Sequence, residues 1–205
     1  MGPVTSLPMK GLYGLATKDR KTTLLRSSFP LKTCLSHLPL VIFLMLTGCS
    51  ALPGGGKDIT SETVIERVSV DEQAMLAMLN AYRRNNGQTG LILDTRLNEV
   101  SADMARHIAE RDSMDTWQHS AFGLSQRLDK AGYANYAGAE NLGSGYSSLS
   151  AAFEGWQGSP GHNKNLLNPY VTRVGIARVN RSDGKWRNFW VMTLSRPFED
   201  GRPVL

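Results

Sequence analysis

Four side chains are candidates for chemistry: two histidines, one glutamate and one serine. His119 and His162 are expected in loops or turns next to Ser and Gly and not on apolar helical stripes, and Glu140 lies almost midway between them in an irregular stretch of small residues. Loops on a rigid scaffold commonly carry binding groups. Two imidazoles and a carboxylate suit a divalent metal ion with water in the fourth position, and they equally suit a hydrogen-bonded polar cluster lining a cleft. The spacing of the three residues favours neither interpretation.

The serine, Ser159, lies in the most specialised stretch of the chain, Trp156–Pro169. With His162 and Glu140 it completes the residue types of a nucleophile, a base and an orienting acid. The local sequence misses the Gly-x-Ser-x-Gly nucleophile elbow because Gln stands at the first position. Ser-Pro-Gly is also a favourable turn, since proline presets φ and glycine relieves it. We therefore interpret Ser159 as a turn residue between two helical segments.

The charge of the chain is distributed unevenly. The 205 residues carry a formal net charge of +5, with a pI near 9.4. The excess of lysine and arginine lies before Cys49, and from Cys49 onward 17 basic and 17 acidic residues balance. If the first segment is cleaved, the basic excess belongs to targeting and not to a partner surface. On this ground nucleic acid is excluded as a partner of the mature chain.

The first 48 residues are typical of a bacterial lipoprotein signal peptide. The apolar run Leu38–Leu46 has the length of a signal-peptide core and is too short to span a membrane. Leu46-Thr-Gly-Cys49 resembles the lipobox, in which the cysteine is acylated through its sulfur and becomes the mature N-terminus. Ser50 follows it in place of Asp, which resembles the signal for the outer membrane of diderm bacteria. We therefore expect a lipid such as palmitate on Cys49, a membrane anchor and an extracytoplasmic location in the cell envelope.

Two alternatives stay open for this segment. A secretory leader that happens to end in cysteine is the alternative to a lipoprotein signal. The segment before Lys32 is also long for the basic region of a signal peptide, which favours a translation start near Leu31.

The expected organisation after the signal peptide is a tether, one domain and a short tail. Residues 49–70 comprise the acylated cysteine and a flexible linker, within which residues 58–70 are also compatible with a weak strand. Residues 71–198 are predicted to form the domain and residues 199–205 the tail. Neither cysteine of the chain lies in the domain, so no disulfide is expected there.

Helix-start signals and apolar periodicity predict four helices. Asp71 and Asp94 are the expected N-caps of the first two, and the first ends near Gly87. A third helical pattern covers residues 122–132 and a fourth covers residues 148–157. The residues predicted to face the core are Met75, Met78, Leu79, Tyr82, Leu97, Val100, Met104, Ile108, Leu124, Leu128, Ala131, Leu149, Ala152, Phe153 and Trp156.

The remaining segments carry two strand signals and one irregular stretch. Residues 171–179 alternate in polarity and residues 189–194 form a continuous apolar run, with an Asp-Gly hairpin signal at residues 182–185 between them. Residues 133–145, rich in Gly and Ala, are expected to be irregular. Helices followed by a hairpin predict an α+β or layered α/β domain.

Five motifs occur in order between residues 72 and 197. They are His119-Ser-Ala-Phe-Gly-Leu-Ser-Gln-Arg127, Ala131-Gly-Tyr133, Glu140-Asn-Leu142, Trp156-x-x-Ser-Pro-Gly-His-x-x-Asn-Leu-Leu167 and Tyr170-Val-Thr-Arg-Val-Gly-Ile176. Together they resemble the bacterial branch of the CAP superfamily (cysteine-rich secretory, antigen 5, pathogenesis-related 1; also called SCP-like). The resemblance implies an α-β-α sandwich with a central, mainly antiparallel sheet.

In this family two His and two Glu line a large cleft, and in some members they hold a divalent ion. By position the resemblance assigns His119, His162 and Glu140 to the cleft, while Ser159 stands where the second Glu is expected. Glu154 is close in sequence but is expected to project elsewhere. The resemblance leaves open that His119, His162 and Glu140 hold a divalent cation such as Zn or Mg. Ser159 lacks the negative charge of the second Glu, which makes firm cation binding less favourable.

Other polar residues of these motifs have structural interpretations. Asn141, Asn163 and Asn165 are expected to bind backbone groups. Arg127 is expected either to pair with a cleft acid or to be solvated at the surface.

The resemblance leaves three hypotheses for function. The favoured one is a binding module, in which the cleft takes a small or lipid-like ligand through His119, Glu140 and His162. The second is a hydrolase that acts on a peptide or a cell-envelope polymer through the same residues. The third is a structural envelope protein with a vestigial cleft. No catalytic residue is assigned, and no protein partner is indicated.

Overall fold

Five strands and five α-helices are interspersed along residues 62–204, the part of the chain that the computed structural model describes. The strands are β1 (Ile65–Val68), β2 (Ile92–Leu93), β3 (Asn135–Ser144), β4 (Arg173–Arg181) and β5 (Asn188–Pro197). The helices are α1 (Glu72–Asn85), α2 (Thr95–Arg111), α3 (Ala121–Lys130), α4 (Leu149–Gly158) and α5 (Pro160–Leu166). Two 3-10 helices, Trp117–His119 and Phe198–Asp200, complete this part of the chain.

The predicted N-caps begin the helices as expected. The Asp71 carboxylate accepts from the Ala74 N–H at 2.9 Å, and the Asp94 carboxylate accepts from the Arg96 N–H at 3.0 Å. These bonds satisfy backbone donors that the first turn of a helix leaves without intrahelical partners. The helix-start predictions at Asp71 and Asp94 are confirmed.

One sheet runs through the middle of the domain, in the order β1-β4-β5-β3, with β2 paired to β4. All pairings are antiparallel except that of β2 with β4. Residues of α1, α4 and α5 pack with Val174, Ile176 and Met192 on one face. Residues of α2 pack with Val179 and Val191 on the other face. The α+β fold class and the α-β-α sandwich with a mainly antiparallel sheet are confirmed.

Two segments differ from their sequence-based interpretation, and the segment before α1 follows the strand alternative that was left open for it. Residues 133–145, expected to be irregular, contain the ten-residue strand β3, which pairs with β5. Alanine and glycine have little intrinsic preference for strands, and pairing and burial decide the structure there. The segment 58–70 contributes β1 to the sheet beside β4. His162, expected in a turn, lies in helix α5, because Pro160 at its first turn presets a helical φ.

The strand register defines the two ends of the domain. Ile65 pairs with Arg181, Ser144 pairs with Phe189, and the β4–β5 connection lies beyond them. The carboxylate of Asp112, at the end of α2, accepts from the Lys185 and Trp186 N–H groups of this connection. We call this the hairpin end. The opposite end holds Asn135 paired with Pro197, and the 3-10 helix Phe198–Asp200.

The proposed signal peptide and Cys49 lie outside the described residues. Within residues 62–204, none of the helices combines the length and apolar character needed to cross a bilayer.

Candidate functional site

Glu140 is the centre of the polar cluster that the sequence pointed to. Both carboxylate oxygens accept from Nη2 of Arg127 at 2.8 Å, and Oε2 lies 3.1 Å from Nδ1 of His119. The Glu140 side chain is 2% exposed and that of Arg127 14%. A charge this deeply buried requires a partner, and Arg127 supplies it. Of the two interpretations left open for Arg127, the structure selects pairing with a cleft acid.

His119 is positioned by the tight turn that leads into α3. The Ser120 hydroxyl accepts from the Gly123 N–H at 3.0 Å and so caps the helix one residue after His119. A Cβ on Gly123 would lie 2.6 Å from the backbone of Gln118, so only glycine permits this close turn. The entry holds the His119 ring against the carboxylate of Glu140, which comes from the middle of β3.

Helix α5 is held to β3 by side-chain hydrogen bonds to backbone groups. Asn141 Nδ2 donates to the His162 carbonyl at 3.1 Å, and Asn165 Nδ2 donates to the Glu140 carbonyl and to Asn141 Oδ1, each at 3.0 Å. The prediction of backbone partners is confirmed for Asn141 and Asn165, whereas the Asn163 side chain accepts from the Tyr82 hydroxyl at 2.8 Å. In this way two segments about twenty residues apart place His162 beside Glu140.

The His162 ring is half-buried beside a second imidazole. Burial lowers the pKa of His162, and the neighbouring His119 lowers it further when charged. The neutral ring is therefore the favoured form of His162 at neutral pH.

Two adjoining cavities lie along β3, and His162 belongs to the wall of both. The inner cavity, about 360 Å³, is lined by His119, Ser120, Ala121, Leu124, Gly138, Ala139, Glu140, Gly161, His162 and Asn165. The outer cavity, about 550 Å³, is lined by Met114, Leu142, Gly143, Ser144, Gly145, Tyr146, His162 and Trp186. We call the two together the cleft. The inner half carries the polar cluster, whereas the outer half is walled largely by apolar and aromatic groups.

His162 is expected to make the domain less stable as the pH falls below about 6.5. Because its folded-state pKa lies below the unfolded-state value, the unfolded chain takes up the proton first, and stability falls until the pH passes the folded-state pKa. The His162→Gln protein is expected to lose the part of the pH dependence of its unfolding free energy that comes from His162. Urea unfolding across that pH range measures it. His107, whose pKa burial also lowers, lies outside the cleft, and His107→Gln should leave the contribution of His162 in place. A His162→Gln protein with the full wild-type dependence would contradict this assignment.

The cleft residues do not fit the divalent cation that the resemblance left open. Across residues 62–204, no three His, Cys, Asp or Glu side chains form a group that could hold a metal ion. Both oxygens of Glu140 are engaged by Arg127, and Nδ1 of His119 faces the same carboxylate. Ser159 adds no negative charge. We therefore derive no chemistry through a metal from His119, Glu140 and His162.

Ser159 does not join the cleft. It ends α4 and precedes α5, its side chain makes no capping hydrogen bond, and it lines neither cavity. The interpretation of Ser159 as a junction between helices agrees with this placement, and Ser159 is not among the residues that line the two cavities. Glu154 is exposed on α4 and also lies outside the cavity walls, as expected.

The cluster can bind and orient a polar group. A carboxylate paired with a guanidinium accepts hydrogen bonds, so Nδ1 of His119 carries a proton in this contact, and Nε2 is the acceptor nitrogen of the neutral ring. His119 Nε2 can therefore accept a hydrogen bond or a proton. A Glu–His pair is also the base-orienting half of a catalytic triad. Ser120, the serine in the inner cavity, uses its oxygen to cap α3.

Comparisons with known proteins agree with this architecture. Residues 76–194, more than half of the chain, match the CAP family, described as the cysteine-rich secretory protein family. The chain is 27% identical over 124 residues to the uncharacterized protein YkwD of Bacillus subtilis (strain 168), covering 60% of this chain and 48% of YkwD. The chain thus spans about half the length of that relative.

Solved structures show the same fold. An outer surface protein from Borrelia burgdorferi superposes with a TM-score of 0.56 at 21% identity, over 65% of this chain and 99% of that one. An extracellular protein containing an SCP domain, from Bacillus anthracis str. Ames, superposes with a TM-score of 0.51 at 24% identity, over 60% of this chain and 39% of that one. The family match, the layered fold and the His–Glu cleft together establish that this chain belongs to the CAP family.

Proposed function

We propose that this chain is a ligand-binding CAP protein held in the bacterial cell envelope by a lipid on Cys49. Its ligand is a small amphiphile, with a polar group beside His119 and His162 and an apolar part in the outer half of the cleft.

The polarity of the cleft carries this proposal. The inner half has imidazole and amide groups and the Glu140 carboxylate, and the outer half has Met114, Leu142, Tyr146 and Trp186. Ligand sites in proteins are commonly apolar concavities of 300–1,000 Å³ with a few polar groups that set orientation, and each half reaches that size. The two halves meet at His162, which suits a molecule with one polar and one apolar end.

Binding is supported better than hydrolysis by the same residues. A serine mechanism needs Ser159 within hydrogen-bond reach of a base, yet Ser159 lies outside the cleft walls. The Glu140 carboxylate is held by Arg127, which fixes the cluster as a preformed recognition surface. The hydrolase alternative is left with His119 as a base and no assigned nucleophile.

The envelope location is supported by the lipobox at Cys49 and by the kind of protein that shares this fold. The two solved structures belong to an outer surface protein and to an extracellular protein. Incorporation of radioactive palmitate into the wild-type chain, and its disappearance in Cys49→Ser, is the result that we expect. Persistent labelling of Cys49→Ser would remove the anchor from the proposal.

Native mass spectrometry of the chain purified from its bacterial host tests the ligand proposal. We expect an added non-covalent mass in the wild type and at least about a tenfold loss of affinity, 1.4 kcal/mol, in Gly161→Trp. Gly161 lines the inner cavity, and a Cβ there meets no atom within 4 Å, so an indole can enter the space that the ligand uses.

The matched control is Gly158→Trp. Gly158 also has open space around its Cβ position, but it lines neither half of the cleft. The Gly158→Trp protein should retain the added mass. Equal retention by both variants would place the ligand elsewhere, and the absence of any added mass in the wild type would refute the binding function.

A further inference from the structure

The chain enters the domain at the hairpin end. Thr63 Oγ1 donates to Asp183 Oδ2 at 2.7 Å, and the Val64 N–H donates to the Ser182 hydroxyl at 2.9 Å. β1 then runs antiparallel to β4, away from that end. These contacts join the first described residues to the connection between β4 and β5, so the described part of the chain begins at the hairpin end.

The outer half of the cleft lies at the same end. Its floor is the last part of β3, Leu142–Ser144, and the two residues that follow, and Ser144 pairs with Phe189 next to the hairpin. Trp186 also lines the outer half, and its backbone N–H donates to the Asp112 carboxylate. The inner half instead lies beside Gly138–Glu140, nearer the middle of the strand. The cleft thus runs along β3 from the polar cluster to the end where the chain enters.

The length of the tether restricts how the domain can face a membrane. Twelve residues lie between Cys49 and Glu62, and the thirteen Cα–Cα steps reach at most about 45 Å when fully extended. The ten residues of β5 span about 33 Å between the two ends of the domain. Turning the opposite end to the bilayer would therefore extend the tether to roughly three quarters of its full reach, which costs chain entropy. Turning the hairpin end to the bilayer makes no such demand.

We propose that the hairpin end faces the lipid bilayer that carries the anchor, and that the cleft receives its ligand from the surface of that bilayer. This inference rests on the proposed function, because it needs both the lipid on Cys49 and a ligand-binding cleft. It goes beyond that function by identifying the bilayer as the surface that the domain meets and a membrane-resident amphiphile as the ligand class.

The order of polarity along the cleft supports this direction of entry. An amphiphile in a bilayer presents its head group to the protein and keeps its tail in the membrane. A molecule that enters from the hairpin end therefore brings its polar group first to His119, His162 and Asn165 in the inner half. Its apolar part follows between Tyr146 and Trp186, in the outer half nearest the bilayer. The opposite polarity would leave a polar head among apolar walls.

Energy transfer from site-specific labels to the bilayer tests this orientation. Because the mature chain has no cysteine besides the acylated Cys49, Lys185→Cys and Arg202→Cys each give one site for a donor dye. Lys185 is exposed at the hairpin end, and Arg202 is exposed at the opposite end beside the Tyr136 ring. The labelled, acylated chain is placed on vesicles of phosphatidylethanolamine and phosphatidylglycerol that contain a lipid-linked acceptor dye.

We expect the label at residue 185 to lie about 30 Å closer to the acceptor plane than the label at residue 202, the length of the sheet. Inserting twenty Gly and Ser residues before Lys57 should reduce this difference, because a longer tether no longer restricts the orientation. Equal distances for the two labels, or a shorter distance for residue 202, would overturn the inference.

The remaining outcomes separate the inference from the function on which it rests. If palmitate labels the chain but the two dye positions show no preferred orientation on vesicles, the proposal that the hairpin end faces the membrane is refuted, and the ligand-binding function is unaffected. If the Cys49→Ser chain stays bound to vesicles, the lipid on Cys49 is not the anchor, and the inference is refuted as well. Transfer of a lipid from the vesicles to the cleft is tested with a phospholipid that carries a fluorescent group on its tail. The wild type and Gly158→Trp should take up this phospholipid, and Gly161→Trp should take up at least about tenfold less. Equal transfer to all three proteins refutes entry through the cleft.

Discussion

Replacing Arg127 by alanine is expected to lower the free energy of unfolding by about 3–5 kcal/mol, because it leaves the Glu140 carboxylate buried without its cation. For a domain of this size the loss corresponds to a fall in Tm of about 10–15 °C. Thermal and urea unfolding of the two proteins at neutral pH measure it. The loss should shrink when Arg127→Met is combined with Glu140→Met, since replacing both partners removes the uncompensated charge.

The exposed pair of Arg67 and Glu99 is the matched control. One guanidinium nitrogen again donates to both carboxylate oxygens, at 2.8 and 2.9 Å, but the side chains are 42% and 69% exposed. Arg67→Ala should cost no more than about 1 kcal/mol, because solvent screens the pair. If Arg67→Ala and Arg127→Ala cost the same, burial is not what makes the Arg127–Glu140 pair important.

The second large effect is expected at Gly175, where α2 crosses β4. A Cβ at this position would overlap the backbone C of Leu97 and N of Asn98 and would lie 2.6 Å from Leu97 Cβ. Backbone atoms cannot turn aside as a flexible side chain can, so Gly175→Ala must push α2 off the sheet. The Asn98 Oδ1 contact with the Ile176 N–H, 2.9 Å long, would then be lost. We expect a loss of at least about 3 kcal/mol, measured by urea unfolding.

Gly158→Ala is the control for this substitution. A Cβ at Gly158, the last residue of α4, meets no atom within 4 Å. Alanine also has the higher helix propensity, so the change should be neutral or stabilising by up to about 1 kcal/mol. If Gly175→Ala is as stable as Gly158→Ala, the close approach of α2 to β4 does not exist in solution.

The two large effects concern the elements that hold the cleft. Arg127 fixes the carboxylate against which His119 rests, and Gly175 permits α2 to pack on the sheet that carries Glu140. Ligand binding in these variants therefore has to be compared at temperatures where each protein is folded. The bulky substitution at Gly161 avoids this difficulty, because it changes the cavity without an overlap with the fold.

Several features of the protein were determined by the sequence itself. The N-caps at Asp71 and Asp94 were predictable because a cap acts over two or three residues, which a local pattern contains. The residue types and the order of the motifs identified the family and selected His119, Glu140 and His162 as cleft residues. The signal peptide and the lipobox cysteine are likewise sequence-based predictions, and their test is biochemical.

Other features were decided only by the tertiary structure. Residues 135–144 form a strand because β5 pairs with them and helices cover them, although alanine and glycine have no strong preference for strands. The choice of Arg127 as the partner of Glu140, and the exclusion of Ser159 from the cleft, depend on how α3 and α5 pack beside β3. The position of the outer half of the cleft, at the end of the domain where β1 begins, follows from strand register. Packing and register join residues far apart in the chain, whereas propensity and capping act between near neighbours.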